Sequence, residues 1–200
     1  MAEIELKNIA HSYNPQAADK TYALDPFNMT WVDGGRYAIL GPSGCGKTTM
    51  LNIMSGIVQP SEGKLLFDGV DVTTLSTSER NIAQVFQFPV IYGTMTVEQN
   101  LAFPLVCRNY EKFVIDAKVQ EVAEALSLQG LLKKSASRLT ADQKQLISLG
   151  RGLVRDDVAA VLMDEPLTVI DPDLKFRLRR QLKEINQKYR STLIYVTHDQ

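Results

Sequence analysis

The hydrophobic and polar positions along the chain predict strands alternating with helices. Residues 4–9 alternate apolar and polar side chains, which is the period of a half-buried strand. A continuous apolar run at 158–163 is typical of a parallel strand covered on both faces, and residues 192–196 predict another buried strand. Further strands are predicted at 28–32, 36–40, 64–67 and 82–86, with a turn at Asp25-Pro26 and a helix from Lys47 to Ser55.

Two stripes of apolar residues at helical spacing predict amphipathic helices. Their members are Ile115, Val119, Val122 and Leu126 in one stripe, and Leu174, Leu178, Leu182 and Ile185 in the other. The first stripe lies between Phe88 and Thr140, a region that we interpret as a helical lobe inserted into the core of strands and helices. We therefore expect an α/β fold with a mainly parallel sheet.

Composition narrows the class of protein. A hydrophobic fraction of 44% and a charged fraction of 22% are those of an ordinary soluble globular domain. The net charge of -1 argues against a nucleic-acid partner, and the two cysteines, Cys45 and Cys107, show no zinc or disulfide spacing. This use of cysteine favours a reduced, cytosolic setting. No apolar run approaches the roughly 20 residues of a membrane span, so a role at a membrane would require docking through a partner. The chain stops at Gln200, directly after a predicted strand, which suggests a fragment.

A phosphate-binding loop is the strongest motif. Residues 41–48 fit the pattern G-x-x-x-x-G-K-[ST] between a predicted strand and a predicted helix. In such a loop, backbone N–H groups and the helix N-terminus bind phosphate oxygens, the lysine reaches the β- and γ-phosphates, and the threonine hydroxyl ligates Mg²⁺. The predicted nucleotide-binding residues here are Gly41, Pro42, Ser43, Gly44, Cys45, Gly46, Lys47, Thr48 and Thr49.

Two acids follow the apolar run that ends at Met163. Ligands of parallel sheets bind at the carboxyl ends of the strands, which is where Asp164 and Glu165 are expected. Asp164 would hold Mg²⁺, and Glu165 would polarise the attacking water as general base. The alternative interpretation is a solvated acidic turn before Pro166. The phosphate loop in the same chain favours the catalytic interpretation.

With these motifs in place, the chain resembles the ATP-binding subunit of ABC transporters, and within them the carbohydrate, polyol and glycerol importers. The resemblance implies a P-loop NTPase (RecA-like) core with an N-terminal antiparallel β subdomain and an inserted α-helical subdomain. The expected division is core and β subdomain at 1–87, helical subdomain at 88–140 and the second part of the core at 141–200. A regulatory barrel is expected beyond Gln200.

The resemblance also assigns roles to single residues. Tyr13 would stack on adenine, since aromatic side chains stack well on bases. Gln87 would contact Mg²⁺ and the attacking water, and its loop would sense the membrane subunit. Asp171 resembles the aspartate that crosses the dimer interface, and His198 resembles the switch histidine that bonds the γ-phosphate. The implied catalytic set is therefore Glu165, His198 and Gln87, and the implied Mg²⁺ set is Thr48, Gln87 and Asp164.

One motif departs from the family. The signature Leu-Ser-Gly-Gly-Gln aligns with Leu139 followed by Thr140, Ala141, Asp142 and Gln143. This segment would face the ATP of the opposite subunit, and at roughly 5 Å and an effective dielectric near 20 a like charge costs about 3 kcal/mol before screening. The alternative interpretation is an ordinary helix start, with Thr140 and Gln143 in a capping box and Asp142 at a favourable position.

The expected cofactors are ATP and Mg²⁺. The expected partners are a second ATPase subunit, two membrane-spanning permease subunits and, indirectly, an extracytoplasmic solute-binding protein, at the cytoplasmic face of the membrane. Asp142 favours a different ATPase subunit as the partner, with a homodimer as the alternative. Two other functions stay open: a soluble ABC ATPase that acts on DNA or ribosomes, and a regulator that only senses ATP. The compact lobe between Gln87 and Leu139 and the intact catalytic residues argue against them.

Overall fold

The computed structural model describes residues 2–16, 21–168, 170–172, 175–176, 178–180 and 192–197. The strands are β1 (Ile4–His11), β2 (Leu24–Trp31), β3 (Arg36–Leu40), β4 (Glu62–Phe67), β5 (Val70–Asp71), β6 (Ile82–Val85), β7 (Ala160–Asp164) and β8 (Leu193–Thr197). The helices are α1 (Lys47–Ser55), α2 (Val97–Val106), α3 (Lys112–Ala125) and α4 (Ala141–Leu153), with 3₁₀ turns at Gln129–Leu131 and Ala136–Arg138. Among these residues, none of the helices has both the length and the apolar character needed to cross a bilayer.

The chain forms two compact units. The first contains Met1–Gln84, Asp157–Asp164 and Arg190–Gln200, and the second contains Val85–Asp156 and Glu165–Tyr189. The division expected at 87/88 and 140/141 stays a prediction.

An antiparallel sheet in the first unit has the strand order β2-β1-β4-β5. The predicted turn at Asp25-Pro26 was wrong, because β2 begins at Leu24 and runs through both residues. Its register pairs Leu24 with His11 and Trp31 with Ile4. Proline has no N–H to donate to a neighbouring strand. It is tolerated in β2 because β2 is an edge strand of this sheet.

The second sheet of the first unit has the order β3-β8-β7-β6. β8 pairs in parallel with β3 on one side and with β7 on the other, which confirms the predicted parallel sheet. Every residue of β7 is buried, as its continuous apolar run predicted. Because the strands are parallel, the carboxyl ends of β3 at Leu40 and of β7 at Asp164 lie at the same edge, where ligands bind in such sheets.

Helix α1 packs into the core of the first unit. Leu51 and Ile53 are fully buried with apolar residues of both sheets, and side chains of this size contribute about 1.5–3 kcal/mol each when buried. The end of α1 is held by Arg80, which is 2% exposed. Its guanidinium donates to the carbonyl oxygens of Ile53 at 2.5 Å and Met54 at 3.3 Å, a favourable place for a cation at a helix C-terminus. Burial lowers the pKa of Arg80 from its ordinary value.

Helices dominate the second unit, as the sequence predicted for the region after Phe88. The predicted stripe forms α3, where Val119 and Val122 are buried. α4 packs closely on α2 and α3 at Gly150. A Cβ atom at this glycine would lie 2.5 Å from Leu101 Cδ2 and 3.2 Å from Leu126 Cδ1. Of the second predicted stripe, Leu178 is buried, and Leu174, Leu182 and Ile185 lie outside the described residues.

Candidate functional site

The loop between β3 and α1 has the backbone that phosphate binding requires. Gly44 and Gly46 have φ angles of 83° and 88°, in the left-handed region that glycine adopts without strain. A Cβ atom at Gly46 would also lie 2.5 Å from the Ala23 carbonyl oxygen. Glycine is therefore needed here on two grounds, and Pro42, Ser43, Gly44 and Cys45 stand exposed above the N-terminus of α1.

Lys47 is the first residue of α1, and its side chain turns back along the loop. The Nζ atom donates to the carbonyl oxygens of Gly41 and Pro42, each at 2.7 Å, and lies 3.7 Å from Cys45 Sγ. The residue is 9% exposed. These contacts place a positive charge beside the loop. The N-terminal end of the α1 dipole lies next to it and also favours an anion.

Tyr13 lies beside the first turn of α1. Its hydroxyl is 3.2 Å from Thr49 Oγ1, and its ring forms a T-shaped pair with the His11 ring, with centroids 4.6 Å apart. The Tyr13 side chain is 61% exposed. The structure thus brings an exposed aromatic ring close to the phosphate loop, as the prediction of adenine stacking requires.

The residues predicted to hold magnesium in the first unit are Thr48 and Asp164. Thr48 is exposed in the first turn of α1, and Asp164 ends β7 with 6% exposure. The described residues contain no group of three or more His, Cys, Asp or Glu side chains that could hold a metal. A Mg²⁺ ion in a nucleotide site takes one or two carboxylates together with phosphates and water, so a hydroxyl and a carboxylate fit that ion.

Glu165 has an unusual backbone and a specific partner in the second unit. Its φ angle is 44°, which is left-handed and uncommon for a residue with a Cβ atom. Such strain persists only where the surrounding structure enforces it, and it is frequent at functional sites. The carboxylate oxygen Oε2 lies 3.4 Å from Gln87 Nε2 and 3.4 Å from Thr168 Oγ1. The structure therefore brings together Gln87 and Glu165, which are 78 residues apart in the chain.

Sequence reasoning missed Thr168. Its hydroxyl donates to the Glu165 carbonyl oxygen at 3.0 Å, and its N–H lies 3.2 Å from the same oxygen. Threonine hydroxyls commonly bond nearby backbone groups in turns, and this tendency is the sequence signal that could have indicated the contact.

The signature segment forms the start of α4. Thr140 is the N-cap, its hydroxyl accepts from the Gln143 N–H at 3.3 Å, and the Gln143 side chain accepts from the Thr140 N–H at 3.2 Å. This reciprocal pair is the capping box that the alternative interpretation expected. Thr140 and Ala141 are exposed and Asp142 is half-buried in the first turn, so the box leaves these positions at the surface of the unit.

The last two predicted residues lie near the end of the chain. Asp171 is exposed, and its carbonyl oxygen accepts from the Lys175 N–H at 2.9 Å. His198 lies outside the described residues, directly after β8.

Known proteins resemble the chain over most of its length. Residues 24–168 match the model of the family described as ABC transporter. The trehalose import ATP-binding protein SugC of Mycobacterium tuberculosis is 40% identical over all 200 residues, which cover 50% of that protein. The sn-glycerol-3-phosphate import ATP-binding protein UgpC of Salmonella typhimurium is 36% identical over 200 residues, or 55% of its length. The chain thus spans about half the length of the curated relatives it matches.

Solved structures agree with this assignment. The dimeric structure of the bacterial ABC transporter cassette MJ0796 has a TM-score of 0.86 and 27% identity, covering 98% of this chain and 88% of that one. The structure of cbiO1 from Clostridium perfringens, part of an ABC transporter complex, has a TM-score of 0.83 and 27% identity, covering 98% and 78%. Together with the phosphate loop, these matches show that the chain belongs to the ABC transporter family and is an ATP-binding domain of that family.

Proposed function

We propose that the chain hydrolyses Mg-ATP to drive the import of a solute, as the motor subunit of an ABC transporter. One observation carries the proposal. A glycine-rich loop with two left-handed residues leads into α1 and has the Lys47 ammonium turned along it, which is the arrangement that binds a polyphosphate.

Some residues would bind the phosphates and Mg²⁺, and others would act on the attacking water. Loop N–H groups and Lys47 would bind the phosphates, with Thr48 and Asp164 holding Mg²⁺. The ion, when bound, neutralises charge on the β- and γ-phosphates. Glu165 would take a proton from the attacking water, and Gln87 would orient the same water. Their 3.4 Å separation supports this pairing, since both side chains must reach one small molecule.

The names of the relatives support an importer. SugC is named for trehalose import and UgpC for sn-glycerol-3-phosphate import. We propose a sugar, polyol or glycerol-like solute for this protein. Its partners would be two membrane-spanning permease subunits and an extracytoplasmic solute-binding protein, with the ATPase peripheral at the cytoplasmic face of the membrane.

We also propose that the second ATPase subunit is a different chain. In a head-to-tail pair, the signature of one subunit faces the ATP of the other. Asp142 would then bring a carboxylate towards that polyanion, at the cost of a like-charge repulsion. The capping box explains how α4 begins, but it gives no counter-charge for Asp142. The site completed by this signature would bind or hydrolyse ATP weakly. The ATP bound at this chain's own phosphate loop would instead face the partner's signature and be hydrolysed.

The first test is steady-state ATP hydrolysis by the protein with its partner subunits. We expect turnover that needs Mg²⁺ and stops when EDTA removes it, because the phosphate charge is then not neutralised. ADP release into solution is the measurement, with AMP as the control nucleotide that lacks β- and γ-phosphates. Magnesium-independent turnover, or none with any partner, would contradict the proposal.

The second test concerns Asp142. In a Glu165→Gln background, Asp142→Gly should strengthen ATP-dependent association of the chain with itself by about 10-fold or more, since the repulsion is lost even after screening by salt. Asp142→Asn keeps the shape of the side chain and should act in the same direction, whereas Asp116→Asn on α3 should have no effect. Sedimentation with and without ATP gives the dimer fraction. If the chain with Asp142 already dimerises as tightly, the heteromeric proposal is wrong.

A further inference from the structure

Gln145 on α4 is completely buried and holds two distant backbone segments. Its side-chain nitrogen donates to the carbonyl oxygens of Phe86 at 3.1 Å and Pro166 at 2.8 Å. These carbonyls lie 59 and 21 residues away in the chain. Buried amides are normally bonded, and here a single amide group joins two segments that share no backbone hydrogen bond with α4 in the described contacts.

The two carbonyls adjoin the proposed reactive side chains. Phe86 directly precedes Gln87, and Pro166 directly follows Glu165. The bonds of Gln145 therefore act one residue away from each member of the pair whose side chains lie 3.4 Å apart. We infer that Gln145 is a positioning residue, which sets the separation of Gln87 and Glu165 by binding the backbone beside each. The inference rests on the proposed ATP hydrolysis.

Other side chains of α4 hold the same segment. Ser148 Oγ accepts from the Val90 N–H at 3.4 Å, and the Arg151 guanidinium donates to the Val90 carbonyl oxygen at 2.5 Å. Arg151 also lies over the Tyr92 ring, 4.6 Å from its centroid. Three side chains spaced along α4 therefore bind the segment 86–92. Gln145 is the member of this set that also reaches the segment after Glu165.

The chemistry of the amide makes the inference specific. The Nε2 group has two hydrogens and can serve both carbonyls, whereas Oε1 is buried and has no hydrogen-bond partner among the described contacts. The side chain is thus used for its donors. Methionine has a similar length and no donor, and a glutamate carboxylate would set its oxygens against both carbonyl oxygens.

The experiment compares Gln145→Met and Gln145→Glu with the unchanged protein, assembled with its partner subunits. We expect kcat for ATP hydrolysis to fall about 10- to 100-fold for Gln145→Met and further for Gln145→Glu, because small displacements of reacting groups have effects of this size. The Kd for ATP should stay within about 2-fold, since the phosphate loop is unaltered. Gln99→Glu is the matched control, because that exposed side chain accepts from the Thr96 N–H and a carboxylate keeps this bond.

A second measurement is independent of turnover. Amide hydrogen exchange in Gln145→Met should increase at residues 86–90 and 165–168, and stay unchanged at 41–49, at temperatures where thermal unfolding shows the variant to be folded. Unaltered exchange in both segments, or a kcat for Gln145→Met equal to that of the unchanged protein, would overturn the inference. If the unchanged protein itself hydrolyses no ATP, the proposed function fails, and the exchange result still decides whether Gln145 holds the two segments.

Discussion

Replacing Glu165 with glutamine is expected to stop ATP hydrolysis while ATP stays bound. A general base contributes about 10²- to 10⁴-fold to a rate, so single-turnover hydrolysis should slow by that factor. Glutamine has the same shape and must adopt the same left-handed backbone, whose φ is 44° in the structure, so the comparison isolates the loss of the carboxylate. Binding should be retained because the phosphates are bound elsewhere, by the loop and Lys47.

The measurement is a rapid-quench single-turnover assay, with ATP affinity followed by titration calorimetry. Glu124→Gln, the same change at an exposed position of α3, is the control and should behave as the unchanged protein. If the partner site permits closure, Glu165→Gln should also trap an ATP-bound dimer. Hydrolysis by Glu165→Gln at the unchanged rate would show that Glu165 is not the base.

Replacing Lys47 with alanine is expected to weaken ATP binding at least about 100-fold. A hydrogen bond from a charged donor contributes about 1.5–3 kcal/mol, and the ammonium is proposed to reach two phosphate groups. The same change removes the bonds to the Gly41 and Pro42 carbonyl oxygens, which lie in a loop that water reaches. Thermal stability should therefore fall much less than affinity.

Titration with ATP and a thermal unfolding curve separate the two effects. Lys64→Ala is the control, because Lys64 is an exposed lysine of the same unit, 3.5 Å from Asp71 and outside the loop. Lys47→Arg keeps the positive charge but not the compact ammonium, and it should bind ATP poorly as well. An unchanged Kd for Lys47→Ala would mean that nucleotide does not bind at this loop.

Local patterns predicted much of the fold because they depend on near neighbours in the chain. The loop, β3 and α1 follow from one continuous stretch, and α1 begins and ends where predicted, at Lys47 and Ser55. The capping box of Thr140 and Gln143 follows from a three-residue spacing. The turn predicted at Asp25-Pro26 failed for a related reason. Proline has no N–H and disfavours a strand only where a neighbouring strand needs a donor at that position, which depends on where β2 lies in the sheet.

The phosphate loop, the alternation of strands and helices and the two adjacent acids at the end of β7 were all predictable from the sequence, since each depends on residues that are adjacent or a few positions apart. Packing in three dimensions was needed to show that Glu165 is left-handed, that Arg80 binds the end of α1 and that Gln145 joins the backbones beside Gln87 and Glu165. These contacts connect segments up to 59 residues apart. The acceptors in the Arg80 and Gln145 contacts are backbone carbonyl oxygens, which every residue has. A pattern of side chains along the sequence therefore could not identify these acceptors before the chain had folded.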